Sequence, residues 1–262
     1  MPRDELGILS EIKKNFILRK LSDGVRGDGR KFDEFREISI QTNYVPRAAG
    51  SAMVTIGKTR ILAGVKIEMG EPFPDTPNQG VLTTNVELLP ISFPTFESGP
   101  PNEVSIEISR VVDRGIREGK TIELKDLVIE EGKKVWIVFI DIDVLDVDGN
   151  IFDACNLGAV AALRTAVIPG EAHGLKDAKL PVNNTPVSVT FAKLGDWIVA
   201  DPTIEEEQMS SARVTVTTTE DGHIRAMQKG LSGTFTWKEI EDAINTSIRL
   251  GKEIREKYLK GV

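Results

Sequence analysis

The sequence predicts an α+β fold centred on a strand, a tight turn and a helix. The stretch from Val135 to Asp146 places apolar residues at every second position, the period of a β-strand. A turn follows at Asp148-Gly149-Asn150, and small and apolar residues then run to Ile168, before Pro169. We expect the helix to begin near Asp153, acting as its N-cap, and to lie close against a sheet because its residues are small. Strand hairpins on both sides of this centre favour a single α+β domain.

Composition narrows the class of protein. The 262 residues include 33 basic and 40 acidic side chains, a net charge of −7, so RNA or phosphate binding would need local clusters or a partner. The single cysteine, Cys155, excludes an intramolecular disulfide and suits a reducing cytoplasm. No apolar run reaches the roughly 20 residues of a membrane helix, and the first residues lack the apolar centre of a signal peptide. We therefore expect a soluble, cytoplasmic protein without membrane contact.

The N-terminal stretch from Glu5 to Leu21 has helical periodicity, with Asp4 as a possible cap. Its apolar positions predict a helix packed on the body of the protein and a solvated basic side, in preference to RNA contact; they are Leu6, Leu9, Ile12, Phe16 and Ile17. A glycine- and charge-rich link, residues 23–30, follows. We predict an N-terminal helical extension at residues 1–25 and one domain at residues 26–262.

Alternating patterns predict most of the remaining strands. In the first half they lie near Ile38 and Ile40, in a hairpin around Gly57-Lys58-Thr59, and from Val81 to Ser92. In the second half they form two hairpins, Val187–Lys193 with Trp197–Ala200 and Arg213–Thr219 with His223–Met227. The acidic run Glu205-Glu206-Glu207 between these hairpins is predicted to be a solvated turn or a helix start. Thr236 and Glu239 form a capping box that opens a last helix, to about Leu259.

The stretch from Glu103 to Gly119 predicts an amphipathic helix with an arginine stripe. Spacings of four and three residues bring Arg110, Arg114 and Arg117 into line opposite the apolar face. Guanidinium groups in one row can bind phosphates. The alternative is a solvated face with local ion pairs, Glu107 with Arg110 and Asp113 with Arg117. The spacing alone does not distinguish phosphate binding from a solvated face with local ion pairs.

Four aspartates near the central turn raise the question of a metal site. A calcium loop starting at Asp146 would need glycine and glutamate where Ile151 and Leu157 stand, so that motif is excluded. Asp141 and Asp143 share a strand face and could hold Mg²⁺ or pair with arginines. Without a third ligand we expect no metal site. Walker, GxGxxG, HExxH, GxSxG and CxxC motifs do not occur in the chain.

Three segments in combination resemble the RNase PH family: Asp28–Arg36, Gly50–Val65 and Asp141–Gly149. The resemblance extends from about Arg26 to the final helix. It implies the RNase PH-like, βαβ-rich α+β fold, of the kind seen in domain 2 of ribosomal protein S5, here with an added N-terminal helix. The family reaction is phosphorolysis, in which inorganic phosphate attacks the last phosphodiester at an RNA 3′ end and releases a nucleoside diphosphate.

Within the family, the chain is most similar to the non-catalytic ring subunits of the archaeal exosome. The added N-terminal helix, Pro72-Phe-Pro-Asp75 and the stretch from Ile106 to Arg114 carry this similarity. It implies that the chain alternates with a catalytic RNase PH-like subunit in a six-membered ring, a trimer of heterodimers. RNA-binding cap subunits would sit on this ring, and single-stranded RNA would thread its pore. Arg110 and Arg114 would face that RNA, with Arg117 as a less certain third contact. The chain would bind no cofactor, and inorganic phosphate would be used at the partner's site.

Two departures from the catalytic pattern support this placement. Catalytic members follow the central Asp-Gly with a Gly-Ser/Thr-Arg type of sequence, whose hydroxyl, amides and guanidinium hold phosphate; here Asn150-Ile151-Phe152-Asp153 follows. Asp153 at the helix start would repel phosphate. Catalytic members also place an aspartate before a Met-Pro-Val-like strand, and here Ser211 stands in that place. A neutral hydroxyl cannot serve as general acid, so the resemblance implies no catalytic residue in this chain.

Two other functions remain open from the sequence. The chain could be an active phosphorolytic exoribonuclease that uses Asp196 or Asp201 as the acid. It could also be a ring scaffold without an RNA role, whose arginines form salt bridges between subunits. Activity of the chain alone would identify the first, and RNA affinity insensitive to charge reversal at Arg110 and Arg114 would identify the second.

Overall fold

The computed structural model describes residues 11–261. The N-terminal helix α1 is described from Glu11 to Ser22, so the predicted cap Asp4 and the apolar residues Leu6 and Leu9 lie outside the described residues. The other helices are α2 (Glu103–Glu118), α3 (Ile151–Thr165), α4 (Ile204–Met209) and α5 (Trp237–Ile254), and α5 continues as one π-helical turn, Arg255–Leu259. No helix within residues 11–261 is long and apolar enough to cross a membrane.

Two β-sheets carry the fold. The first contains β1 (Ile38–Thr42), β2 (Gly50–Ile56), β3 (Thr59–Gly70), β4 (Val81–Leu88), β5 (Val128–Glu130) and β6 (Lys134–Asp146). Its order is β1-β2-β3-β6-β4, with β5 also paired to β6. The β4–β6 pair is parallel, and the others are antiparallel. Residues later in the chain form β7 (Val167–Ile168), β8 (Ala178–Lys179), β9 (Val187–Leu194), β10 (Trp197–Ala200), β11 (Ala212–Thr218) and β12 (Ile224–Gly230). The second sheet has the antiparallel order β10-β9-β11-β12, and β7 pairs with β8.

Helix α3 lies between the two sheets, with contacts to β2, β3 and β9. Every side chain from Ile151 to Leu163 is buried. A Cβ on Gly158 would lie 2.2 Å from Cδ1 of Ile61, and a Cβ on Gly50 would lie 2.3 Å from the carbonyl oxygen of Ala162. The predicted close packing of a thin helix on a sheet is confirmed. The even-numbered residues from Trp136 to Val144 on β6 are also buried, as the alternation predicts.

The bounds of α3 differ from the prediction at both ends. The N-cap is Asn150, with φ of 56°, and not Asp153. Gly149 and Asn150 both adopt left-handed backbone angles and turn the chain into the helix early, which leaves Asp153 inside its first turn. The helix ends at Thr165 and not Ile168, because the Val167 N–H donates to the Ala49 carbonyl and draws the chain into β7.

Three smaller predictions are also corrected. The strand from Val81 ends at Leu88 and not Ser92, since a turn closed by the Ser92 N–H on the Leu89 carbonyl surrounds Pro90. The face of α1 that packs is narrower than predicted, because Ile17 is buried near Leu194 and Val199 of the second sheet while Ile12 and Phe16 are 83% and 51% exposed. The acidic run forms the start of helix α4, which is one of the two predicted alternatives, but it is not fully solvated, because Glu206 is buried.

Candidate functional site

The turn from Asp148 to Asn150 is held rigidly between the two halves of the chain. Thr59 accepts the Asp148 N–H at 2.9 Å and donates its hydroxyl to the Gly149 carbonyl at 2.6 Å. Gly149 has φ of 88°, and a Cβ there would lie 2.4 Å from the Pro202 carbonyl oxygen. This turn therefore places the N-terminus of α3 directly against the segment that starts at Asp201.

That helix N-terminus is already occupied by carboxylates of the chain itself. The backbone N–H of Asn150 donates to the Glu207 carboxylate at 2.8 Å. The Asn150 side-chain amide donates to Asp153 at 2.8 Å and to Asp201 at 2.7 Å. A helix N-terminus favours anions through its unpaired N–H groups and its dipole. Here Glu207 takes up a hydrogen-bond donor that an inorganic anion would otherwise use.

Asp153 is fully buried beneath this turn. It accepts hydrogen bonds from the Thr190 N–H at 2.9 Å and the Thr190 hydroxyl at 2.7 Å, in addition to the Asn150 amide. Burial raises the pKa of Asp153 to about 7, although these hydrogen bonds favour its charged form. Asp153 therefore lies in the first turn of α3 and is not its N-cap, and its carboxyl points to β9 as a buried structural group.

Asp201 is the most heavily bonded carboxylate of the site. It is fully buried, with φ of 48°, and accepts from Arg36 at 2.7 and 2.9 Å and from Arg30 at 2.8 Å. Burial would raise the pKa of Asp201, but the hydrogen bonds and charge of Arg36, together with the charge of Arg30, hold it below its ordinary value. A carboxylate fixed in this way is a poor proton donor near neutral pH.

A buried ion pair between Arg26 and Glu206 fixes helix α4 to the link that follows α1. The Arg26 guanidinium is fully buried and donates to Glu206 at 2.8 Å, to the Ala200 carbonyl at 2.7 Å and to the Asp201 carbonyl at 2.8 Å. Thr203 and Glu206 also form a capping box at the start of α4. The link after α1 therefore fixes the helix that presents Glu207 to Asn150.

Helix α2 presents the three predicted arginines on its solvent side. The apolar face is buried as predicted, through Val104, Ile108, Val111, Val112 and Ile116. Arg110 and Arg114 are exposed, and neither makes a hydrogen bond or ion pair within the described residues. Arg117 is different, because it pairs with Asp113 at 3.1 Å and donates to the Leu82 carbonyl at 3.0 Å. The predicted pair Asp113–Arg117 is confirmed, whereas Glu107 pairs with Arg213 and not with Arg110.

Arg213 connects helix α2 to the N-terminus of α3, next to the turn from Asp148 to Asn150. Its guanidinium carbon lies 4.0 Å from the ring centroid of Phe152, and its terminal nitrogen pairs with Glu107 of α2. Cation–π contact with a buried ring holds such a guanidinium in one orientation. Burial raises the pKa of Glu207, while the hydrogen bond from Asn150 and the charge of Arg213 act in the opposite sense. The two regions that the sequence singles out are thus physically joined.

The other predicted positions have structural surroundings. Ser211 begins the turn into β11, where its N–H and hydroxyl both donate to the Lys193 carbonyl, at 2.8 and 3.3 Å. Asp196 is exposed in the turn between β9 and β10. Asp141 and Asp143 lie on the outer face of the first sheet, where burial, Glu87 and Asp141 raise the pKa of Asp143. Within residues 11–261, no three or more His, Cys, Asp or Glu side chains are grouped as metal ligands.

Sequence reasoning missed most of the side chains that close this site: Arg26, Arg36, Glu206, Glu207 and Arg213. One local signal was available, because Thr203-Ile-Glu-Glu206 is a capping-box pattern that predicts a helix start. The ion pairs had no such signal, since Arg26 and Glu206 are 180 residues apart. The sequence suggests Asp201 only as a catalytic acid and gives no sign that Arg30 and Arg36 bind its carboxylate.

Two models of one protein family match most of the chain. The 3′ exoribonuclease family, domain 1, matches residues 34–169, and domain 2 of the same family matches residues 184–249. The chain therefore belongs to this family, the RNase PH family that the three segments resemble.

The chain is 64% identical to the exosome complex component Rrp42 of Thermoplasma volcanium, over 99% of this chain and 100% of that protein. Two solved structures are also similar. A chain of the Archaeoglobus fulgidus exosome with RNA bound to the active site has a TM-score of 0.92 and 48% identity, covering 94% of this chain and 98% of that one. A chain of an archaeal exosome core has a TM-score of 0.89 and 43% identity, covering 99% and 100%. The predicted RNase PH-like fold is confirmed.

Proposed function

We propose that this chain is a non-catalytic ring subunit of an archaeal-type exosome, a phosphorolytic complex that degrades RNA from the 3′ end. It alternates with a catalytic RNase PH-like subunit in a hexameric ring, beneath RNA-binding cap subunits. Its relatives are exosome components along their full length, which supports the assembly. We further propose that the complex works in the cytoplasm on single-stranded RNA.

The observation that carries the non-catalytic assignment is the carboxylate at the N-terminus of α3. Glu207 accepts the Asn150 N–H at 2.8 Å, and Asp153 and Asp201 bind the Asn150 side chain. An incoming phosphate would find the Asn150 N–H, a donor that it needs, already bound by Glu207. Asp201, the best remaining candidate for a general acid, has a lowered pKa and is held by Arg36 and Arg30. The chain therefore positions RNA and shapes the partner's site, and phosphate is used there.

Arg110 and Arg114 supply the contribution to RNA binding. Both are exposed and unpaired within the described residues, so both are available to phosphates. Phosphate contacts of this kind are salt-dependent and blind to sequence, as an exonuclease that advances along any RNA requires. Arg117 contributes less because Asp113 already neutralises it.

The test is a ring reconstituted from this chain and a catalytic family member that carries the Gly-Ser/Thr-Arg sequence. We expect Arg110→Glu with Arg114→Glu to leave ring assembly intact and to weaken binding of single-stranded RNA by at least tenfold at low salt. Lys238→Glu, on an exposed face of α5, is the matched charge-reversal control and should change neither. Unchanged RNA affinity in the double variant would favour the scaffold function.

A further inference from the structure

A groove runs between helix α2 and the edge strand β12 of the second sheet. It has a volume of about 340 Å³, within the range of small-ligand sites. Val111 and Ala226, both buried, form its deeper part, and Ile106, Arg110 and Arg114 line the side formed by α2. We call it the α2–β12 groove.

The groove combines an apolar surface with two cations, Arg110 and Arg114, that have no partner among residues 11–261. Ile106 is 44% exposed, on a helix that otherwise buries its apolar residues. Arg110 and Arg114 follow it at distances of about 6 and 12 Å along the helix axis, from the rise per residue. Apolar contact and positive charge are therefore offered side by side.

The carboxylates of the groove do not cancel these charges. Glu107 is bound to Arg213, so its charge is already compensated. Glu103 lies in the first turn of α2, seven residues before Arg110, or about 10 Å along the axis. The C-terminal end of the groove is thus positive, and its middle is apolar.

We infer that the α2–β12 groove holds a nucleobase of single-stranded RNA while Arg110 and Arg114 contact the adjoining phosphates. This inference rests on the proposed function and adds a base-binding surface to it. A nucleotide has the two parts that the groove matches, a flat base with apolar faces and an anionic phosphate. Contact through the face of the base accepts any base, so the groove does not select sequence. A peptide strand added to β12 would use the apolar surface but would leave both guanidiniums without a partner.

The test compares RNA with an abasic strand of equal length, both bound to the reconstituted ring without phosphate so that neither is degraded. The variant is Ile106→Ser. The control is Ile224→Ser, an equally exposed isoleucine on β12 outside the groove. We expect Ile106→Ser to weaken binding of a 12-nucleotide oligouridylate by roughly fivefold, because the base loses apolar contact area, and to leave the abasic strand unaffected. Ile224→Ser should change neither.

Failures of the two proposals give different results. If Ile106→Ser affects both strands equally, or neither, the base-binding inference is wrong while the RNA role of the arginines stands. If Arg110→Ala has no effect on either strand, the proposed RNA role itself is wrong. If Ile106→Ser prevents ring assembly on size-exclusion chromatography, a partner segment and not a base occupies the groove.

Discussion

Asp201 shows how single residues fix this site. Its two carboxylate oxygens accept from the side chains of Arg36, Arg30 and Asn150, and from the Arg36 backbone N–H at 2.8 Å. Its left-handed backbone angle bends the chain toward the start of α4. A buried carboxylate is stable only with such compensation. The candidate general acid is instead a junction between the N-terminal link, the central turn and α4.

The ion pair between Arg26 and Glu206 should contribute to stability mainly by avoiding an unpaired buried charge. We predict that Arg26→Met lowers the free energy of unfolding by about 3–5 kcal/mol, because Glu206 would remain buried without its partner. Adding Glu206→Gln to that variant should recover part of the loss. Lys133→Met, which removes an exposed ion pair with Glu130, is the control and should have little effect in urea unfolding. Equal losses in both single variants would contradict this account.

Asp153 should make stability depend on pH. Since its pKa rises to about 7 on folding, the folded state keeps a proton that the unfolded state releases above its ordinary value of 3.8. This contribution to stability is complete below about pH 4 and is lost as the pH rises through 7. We predict that Asp153→Asn becomes more stable relative to the natural chain as pH rises from 5 to 8, measured by urea unfolding. A flat difference between Asp153→Asn and the natural chain across this pH range would refute the raised pKa.

At the scale of elements, helix α3 depends on close approach to the first sheet. A Cβ on Gly50 would meet backbone atoms of Ala162 and Ala166 at 2.3 and 2.8 Å, and backbone cannot move aside cheaply. We predict that Gly50→Ala costs about 1–3 kcal/mol of stability. Gly64→Ala, on the next strand, adds a Cβ with nothing within 4 Å and should be close to neutral in the same thermal or urea unfolding measurement. Comparable losses in both variants would rule out the packing explanation.

Helix α2 should contribute phosphate contacts one arginine at a time. We predict that Arg110→Ala and Arg114→Ala each reduce the slope of log affinity against log salt concentration by about one, measured for single-stranded RNA on the reconstituted ring. Arg117→Ala should change this slope less, because Asp113 and the Leu82 carbonyl already bind that guanidinium. A larger effect of Arg117 than of Arg110 would reverse the assignment.

Elements were more predictable from sequence than the contacts of the site. Strict alternation identified β6, and helical spacing identified the buried face of α2, because both depend on local periodicity. The start of α3 was misplaced, since Asn150 caps it through a left-handed backbone angle and not through a side-chain hydrogen bond. Glu207 contacts Asn150 across 57 residues. Pairings at that range follow from how the two sheets enclose α3, which no local pattern encodes.

At the scale of the whole molecule, the fold brings the two informative regions onto one connected surface. Arg213 contacts Phe152 at the start of α3 and Glu107 on α2, so the N-terminus of α3 and helix α2 share one side chain. The family fold is retained, and internal hydrogen bonds and ion pairs occupy the N-terminus of α3. This arrangement fits a subunit that gives shape and charge to a ring and leaves bond cleavage to its partner.

The most direct measurement is phosphate-dependent shortening of a 5′-labelled single-stranded RNA from its 3′ end, with the release of nucleoside diphosphates followed by chromatography. It should be made with this chain alone, with the ring, and with a ring whose catalytic partner has lost the arginine of its Gly-Ser/Thr-Arg sequence. We predict release only from the intact ring. Release by this chain alone, or by the ring with the inactivated partner, would mean that the N-terminus of α3 binds phosphate despite Glu207 and that the chain is itself a catalyst.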